Sequence, residues 1–211
     1  MKCFDEMVAG YRRFRSGDWQ RQHERWDQLK EGQSPQVMII ACSDSRVDPS
    51  QIFDVSPGEL FVVRNVAALV PPFETSPGRH GVSAALEFAV QFLKVREIVV
   101  MGHGMCGGCQ AALTQDLHGN EMGEGGFVAN WIDMLDEARE PIAHRHGTQG
   151  RMAERAMEQA AVKVSLANLR SFPCVREKEA DGSLSLHGAY FAISDGILHL
   201  LDETSGDFAP A

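Results

Sequence analysis

The chain has 211 residues, of which 44% are hydrophobic and 23% are charged, and this composition is typical of one globular domain spanning residues 1–211. Its formal net charge of −9 gives no electrostatic support to nucleic-acid binding. No apolar run approaches the roughly 20 residues that span a bilayer, and no secretory signal follows the first methionine. We therefore expect a cytoplasmic protein with neither a nucleic-acid nor a membrane partner.

The first segment, residues 2–31, is polar and carries widely spaced apolar residues. Their spacing predicts two amphipathic helices that are broken at Ser16-Gly17-Asp18, with Asp18 as the N-cap of the second. Too few apolar residues are present for this arm to fold alone. We expect residues 1–31 to form a helical arm that packs on the main body or on a neighbouring subunit.

Strand and helix patterns then alternate along the chain. The predicted strands cover residues 38–42, 59–65, 98–101, 183–193 and 197–201. Helices are predicted from residue 48, over 82–93, after residue 104, over 128–140 and over 152–169, with Pro141 ending the fourth. Residues 119–126 form a predicted surface loop, and residues 206–211 are predicted to fray. This order predicts an α/β fold with a mainly parallel central sheet, helices on both faces and an antiparallel edge strand from the final hairpin.

Polar residues with distinct chemistry follow the first predicted strand. The apolar run of residues 38–42 ends at Cys42, and Asp44 and Arg46 come next at alternate positions. In open α/β sheets, ligands bind at the carboxyl ends of the strands. A thiol, a carboxylate and a guanidinium group are therefore expected at a ligand-binding edge.

The third predicted strand ends in a similar way, with His103 and Cys106. Two thiols, an imidazole and a carboxylate make a tetrahedral zinc set if the two strands are neighbours in the sheet. Four glycines around this pair, at residues 102, 104, 107 and 108, allow the backbone to come close to a metal. The sequence thus predicts one zinc ion per chain, although cobalt or iron would accept the same ligands.

The fourth zinc position determines what the site can do. If Asp44 ligates the metal, four protein groups close the site. If Asp44 pairs with Arg46 instead, the position is open to water, whose pKa zinc can lower to roughly 7 to give a hydroxide nucleophile. Because two thiolates make the metal less electrophilic, we expect the hydroxide to form under mildly alkaline conditions.

At these motifs the chain resembles the β-class carbonic anhydrases, specifically their plant-like branch. The resemblance covers roughly residues 30–202 and includes Cys42-Ser43-Asp44-Ser45-Arg46 and Gly102-His103-Gly104-Met105-Cys106-Gly107-Gly108. Further matching segments are residues 57–67, 165–169 and 186–190.

The resemblance implies reversible hydration of carbon dioxide to bicarbonate and a proton. It implies zinc ligation by Cys42, His103 and Cys106, with Asp44 and Arg46 as a catalytic dyad. Gln33 matches a substrate-binding glutamine, and Gly107 matches a backbone donor. A small apolar substrate pocket is implied for Phe61, Val66 and Phe88. Family members are dimers or larger assemblies whose N-terminal helices embrace the partner.

A second branch of the family has an inhibitory bicarbonate site made of a tryptophan, an arginine and a tyrosine. Arg64 and Tyr190 match it, but Ile39 occupies the tryptophan position. This departure favours the plant-like branch.

Other interpretations of the same residues stay open. Cys106 and Cys109 have the C-x-x-C redox spacing, so Cys109 is a resolving thiol, an alternative ligand or a core thiol. The Asp44–Arg46 pair has a purely structural interpretation as a salt bridge. The alternative functions are hydrolysis of carbonyl sulfide or carbon disulfide at the same site, and a non-catalytic structural zinc site.

Overall fold

A computed structural model describes residues 3–117 and 126–211, and the chain divides into two compact units, Met1–Ser34 and Pro35–Ala211. The N-terminal unit is helical, with α1 (Phe4–Ser16), α2 (Asp18–Arg21) and α3 (His23–Leu29). The predicted break falls at Gly17, as expected. Asp18 is not an N-cap, however, because it is the first helical residue of α2 and its carboxylate accepts a hydrogen bond from Arg21.

The second unit is organised around a six-stranded sheet. The strands are β1 (Val37–Cys42), β2 (Leu60–Asn65), β3 (Glu97–His103), β4 (Ser185–Ala192), β5 (Ile197–Asp202) and β6 (Asp207–Pro210). Their order is β2-β1-β3-β4-β5-β6, and the first four strands are parallel while β5 and β6 are antiparallel to their neighbours. The predicted fold class is therefore confirmed.

The prediction of a frayed C-terminus is wrong. Residues 207–210 form the edge strand β6, and the N–H of Ala211 donates to the carbonyl of Leu198 at 2.9 Å. A tight turn directs the chain back to β5, because the Asp202 carboxylate accepts from the N–H of Thr204 at 2.8 Å and Gly206 adopts a φ of +78°. The pairing with β5 orders this segment, and Phe208 adds a contact with the core, where its ring centroid lies 6.3 Å from that of Tyr190.

The helices of this unit follow the predicted pattern with two differences. The α-helices are α4 (Pro49–Ile52), α5 (Gly81–Glu87), α6 (Gly107–Thr114), α7 (Phe127–Ile132), α8 (Asp136–His146), α9 (Arg151–Ser171) and α10 (Pro173–Ala180). A π-helical segment, Phe88–Leu93, extends α5. The sequence analysis missed α10. Pro141 does not end its helix, since α8 continues to His146 and packs along α9. The predicted loop at 119–126 lies outside the described residues except for Gly126.

The core covers both faces of the sheet. Met38 and Ile40 point to one face, where they pack with side chains of α5, α9 and α10. Ile39 and Ala41 point to the other, beside Ile52 at the end of α4. This alternation is the two-residue period of a strand. Among the helices that the structure describes, none has the length and apolar character to cross a membrane.

β4 packs so closely against its neighbours that Gly188 has no room for a side chain. A Cβ atom added there would lie 2.9 Å from Leu201 side-chain atoms and 3.1 Å from Leu166 Cδ1. We expect Gly188→Ala to lower the free energy of unfolding by about 1–3 kcal/mol, the usual cost of overpacking a core, as measured by urea denaturation.

Gly81→Ala is the matched control. A Cβ at Gly81 meets no atom within 4 Å, and this residue begins α5. Alanine favours the helical conformation over glycine, so the control should be neutral or slightly stabilising. Equal stability of Gly188→Ala and the wild-type protein would contradict the packing described for β4.

Candidate metal centre

Three potential metal ligands meet at the carboxyl ends of β1 and β3. The Sγ atoms of Cys42 and Cys106 lie 3.9 Å apart, and the ligand atoms of Cys42, His103 and Cys106 all lie within 4.8 Å of one another. All three side chains are buried, with exposed fractions of 6%, 1% and 3%. The parallel pairing of β1 with β3 brings Cys42 close to two residues some sixty positions later.

The donor set fits a zinc ion. Two thiolates held at about 2.3 Å by one tetrahedral zinc lie about 3.8 Å apart, close to the 3.9 Å between the two sulfurs. His103 Nδ1 lies 2.9 Å from the carbonyl oxygen of Gly104, to which it donates in the neutral tautomer, and this contact leaves Nε2 as the acceptor. Within the described chain, that buried Nε2 atom has no hydrogen-bond partner.

The protonation of the thiols depends on their surroundings. The hydrogen bond with Cys106 and burial raise the pKa of Cys42 to about 12, and the hydrogen bond with Cys109 is the largest contribution that raises the pKa of Cys106 to about 12. Without a cation, both thiols therefore hold their protons at neutral pH. A bound divalent metal would have to displace these protons, because the thiolate is the form that coordinates.

Asp44 stands beside this set but belongs to a different interaction. Its two carboxylate oxygens accept from Arg46 Nε at 2.9 Å and Arg46 Nη2 at 2.6 Å, which is a bidentate pair. The guanidinium group holds the pKa of Asp44 well below its usual range. Arg46 Nη2 also donates to the carbonyl of Met105 at 2.9 Å and so joins the loops that follow β1 and β3. Ligation of the metal by Asp44 in a closed state stays a prediction.

Arg64 and Tyr190, which match the bicarbonate site of the other branch, have other partners in this chain. The Arg64 guanidinium group donates to the main-chain carbonyls of Cys42 at 2.9 Å and Asp44 at 2.5 Å. The Tyr190 hydroxyl donates to Glu158 Oε2 at 2.8 Å. Arg64 therefore supports the loop that carries Asp44.

The residues matched to substrate binding fall in separate places. Val66 packs on the first turn of α6, because a Cβ at Gly108 would lie 2.7 Å from Val66 Cγ1. Phe61 and Phe88 contact each other, with ring centroids 5.9 Å apart. Gly107 begins α6 directly after Cys106, and Gln33 belongs to the N-terminal unit. Their roles in substrate binding stay predictions.

Sequence reasoning missed Glu158. This glutamate of α9 is only 2% exposed and accepts a hydrogen bond from the N–H of Cys106 at 3.2 Å. Its buried neighbours on α9 include Met157, Ala161 and Val162, but no local pattern in the sequence distinguishes this glutamate from an exposed one.

The geometry defines an α/β protein with a buried Cys-His-Cys set that fits one metal ion, next to an Asp–Arg pair. A family model described as carbonic anhydrase matches residues 37–198. Beta carbonic anhydrase 5, chloroplastic, of Arabidopsis thaliana is 37% identical over 199 residues, which are 91% of this chain and 62% of that protein. The chain thus spans less than two thirds of the length of this relative.

Solved structures indicate the same family. The β-carbonic anhydrase CcaA superposes with a TM-score of 0.90 at 29% identity, covering 98% of this chain and 91% of that one. One of two tetrameric β-carbonic anhydrases from Sordaria macrospora superposes with a TM-score of 0.78 at 27% identity, covering 98% of both chains. The chain belongs to the β-carbonic anhydrase family.

Metal binding should depend on the cysteines of the Cys-His-Cys set and not on the others. We expect Cys42→Ser and Cys106→Ser to bind less than about one tenth of the wild-type zinc, because a serine hydroxyl is a poor zinc ligand compared with a thiolate. The zinc content of the purified proteins, measured by inductively coupled plasma mass spectrometry, checks this.

Cys174→Ser serves as the control and Cys109→Ser tests the interpretation of Cys109 as a ligand, since the three-residue set includes neither cysteine. Both should bind zinc at the wild-type ratio. Loss of zinc from Cys109→Ser would instead favour the interpretation of Cys109 as a ligand.

Proposed function

We propose that the chain catalyses the reversible hydration of carbon dioxide to bicarbonate and a proton, with one zinc ion held by Cys42, His103 and Cys106. The observation that carries this proposal is the buried set of three donor atoms within 4.8 Å, next to a carboxylate that Arg46 holds in a bidentate pair. A site with three protein ligands leaves one tetrahedral position for a small molecule.

When bound, zinc would act as a Lewis acid that lowers the pKa of a water molecule to about 7 and so supplies a nucleophile. Asp44 would accept a hydrogen bond from that water and orient it, since its carboxylate is ionised throughout the neutral range. Arg46 would hold Asp44 in position through its two parallel hydrogen bonds. His103 would keep the tautomer that its contact with Gly104 selects.

The proposed substrate path is apolar. Val66, Phe61 and Phe88 would form walls that accept an uncharged linear molecule and disfavour retention of an anionic product. The N–H of Gly107 would donate to a substrate oxygen, and nothing occupies the space where a Cβ would stand at this residue.

Asp44→Asn tests the catalytic dyad. We expect carbon dioxide hydration to fall by at least about 100-fold, the usual contribution of a positioned acid or base, while zinc content stays unchanged because Asp44 lies outside the three-residue set. Stopped-flow hydration assays of zinc-quantified protein measure the rate.

Asp54→Asn is the matched control. Asp54 is exposed and has a φ of 48°, a left-handed conformation that asparagine also tolerates. This variant should keep the wild-type rate. A wild-type rate of hydration in Asp44→Asn would contradict the role given to Asp44. The Asp44–Arg46 pair would then be interpreted as a purely structural salt bridge.

The wild-type protein distinguishes the remaining functions in the same assay. Zinc-loaded protein that hydrates no carbon dioxide from acidic to alkaline pH would overturn the proposal. Turnover of carbonyl sulfide or carbon disulfide would then identify the hydrolytic alternative. Inactivity on all three substrates would indicate a structural zinc site.

We also propose that the chain forms a homodimer, or a larger assembly built from dimers, through its N-terminal arm. Four apolar side chains of α1, at residues 4, 7, 11 and 14, follow helical spacing, and all are exposed, with Met7 at 61% and Tyr11 at 60%. An exposed apolar stripe of this kind is typical of a helix that packs on a partner. The tetrameric state of the Sordaria macrospora enzyme supports an assembly, and a cytoplasmic location stays a prediction.

The double variant Met7→Lys/Tyr11→Lys tests the arm. It should have a lower molar mass than the wild-type protein in size-exclusion chromatography with light scattering, moving towards the 23.2 kDa of one chain, because two charges would have to be buried on the stripe. Arg12→Gln, an exposed position of the same helix outside the stripe, is the control and should keep the wild-type mass. An unchanged mass in the double variant would exclude the stripe as the interface.

A further inference from the structure

Glu158 is a buried carboxylate that the proposed reaction does not use. It lies on α9 with 2% of its surface exposed, and each carboxylate oxygen has one donor. Oε1 accepts from the main-chain N–H of Cys106 at 3.2 Å, and Oε2 accepts from the Tyr190 hydroxyl at 2.8 Å. Because burying a carboxylate is costly unless its oxygens are hydrogen-bonded, these two contacts determine where it can sit.

Cys106 needs this acceptor because of its position in the chain. It is the N-cap residue of α6, is 3% exposed and carries a main-chain N–H directed at Glu158. Without Glu158, that donor would be buried and unpaired. The N-terminus of α6 also carries partial positive charge, which favours a carboxylate nearby.

Small residues at the end of β3 allow this approach. A Cβ at Gly102 would lie 2.7 Å from Val162 Cγ2 and 3.4 Å from the Glu158 carbonyl, and a Cβ at Gly104 would lie 3.1 Å from the Tyr190 hydroxyl oxygen. Glycine at both positions thus lets α9 and β4 come close enough to reach the loop that carries Cys106.

Tyr190 holds the other side of the carboxylate. It is 1% exposed, and burial together with the hydrogen bond to Glu158 raises the pKa of its hydroxyl, which therefore remains a donor. The Arg155 guanidinium carbon lies 5.4 Å from the Tyr190 ring centroid, and both Arg151 and Arg155 lower the pKa of Tyr190 through their charge. The Tyr190 hydroxyl, which matches the inhibitory bicarbonate site of the second branch of the family, donates to Glu158 in this chain.

We infer that Glu158 is a positioning residue for the metal ligand Cys106, and that Tyr190 fixes the Glu158 carboxylate in turn. Glu158 holds the main chain of Cys106 and puts a negative charge behind the Cys-His-Cys set, where it favours a bound divalent cation. The inference rests on the zinc site of the proposed function. Groups that orient metal ligands in this way typically contribute 10- to 100-fold to metal affinity or activity.

The test compares zinc release from the loaded wild-type protein, Glu158→Gln and Tyr190→Phe. Glutamine keeps an oxygen acceptor for Cys106 but removes the charge, and phenylalanine removes only the hydroxyl. We expect Glu158→Gln to transfer zinc to the chelator 4-(2-pyridylazo)resorcinol about 10 to 100 times faster than the wild-type protein. Tyr190→Phe should change the rate in the same direction by a smaller factor.

A second measurement distinguishes ligand positioning from a general loss of stability. Cobalt-substituted Glu158→Gln should show shifted thiolate-to-cobalt absorption bands, which a purely structural role would leave unchanged. Glu154→Gln is the matched control, because it is the same substitution one helical turn earlier, where Glu154 pairs with Arg151. Its zinc release should stay within twofold of the wild-type rate.

Wild-type zinc release and cobalt spectra in a folded Glu158→Gln variant would overturn the inference. If that variant does not fold, Tyr190→Phe decides by the same two measurements. A wild-type protein that binds zinc but does not hydrate carbon dioxide would overturn the proposed function alone, since the release rates would still test Glu158. A wild-type protein that binds no zinc would overturn both.

Discussion

The pairing of β1 with β3 is the constraint on which the site depends. The two strands run parallel from Val37 opposite Glu97 to Ala41 opposite Met101, so both strands end at the same edge of the sheet. Cys42 and His103 follow within two residues of the last pair. A shift of one residue in the register would turn the side chains of one strand to the opposite face. The buried apolar side chains of both strands oppose such a shift and thereby keep the ligand atoms together.

Two arginines then organise the loops beyond this edge. Arg46 joins the Asp44 carboxylate to the carbonyl of Met105, and Arg64 joins the carbonyls of Cys42 and Asp44. Each guanidinium group has several donors in a fixed plane, so it can hold two segments at once in a way that a lysine cannot. The loop after β1 is therefore supported from β2 on one side and from the loop after β3 on the other.

Two errors of the sequence analysis, at Pro141 and at residues 207–210, have a common physical cause. Pro141 lacks an N–H and normally ends a helix, but α8 continues because it packs along α9 and Ile142 reaches the core. Residues 207–210 lie near a chain end, where fraying is the usual expectation, but β5 offers an edge to which they bond and Phe208 packs against the core. In both places, contacts with another helix or strand outweigh the local preference that the prediction used.

By itself, the sequence determined the order of β1 to β5 and of most helices along the chain, the polar exits of β1 and β3, and the residue types of the Cys-His-Cys set. These features follow from local periodicity and from the chemistry of thiols and imidazole, and the resemblance of the motifs indicated the family. Only the tertiary structure decided that Asp44 pairs with Arg46, that Arg64 supports the loop, and that Glu158 accepts from Cys106. Glu158 is 52 residues from Cys106 in the chain, and no local pattern distinguishes a buried glutamate from one on a solvated helix face. Its role depends on how closely α9 packs against the glycines at the end of β3.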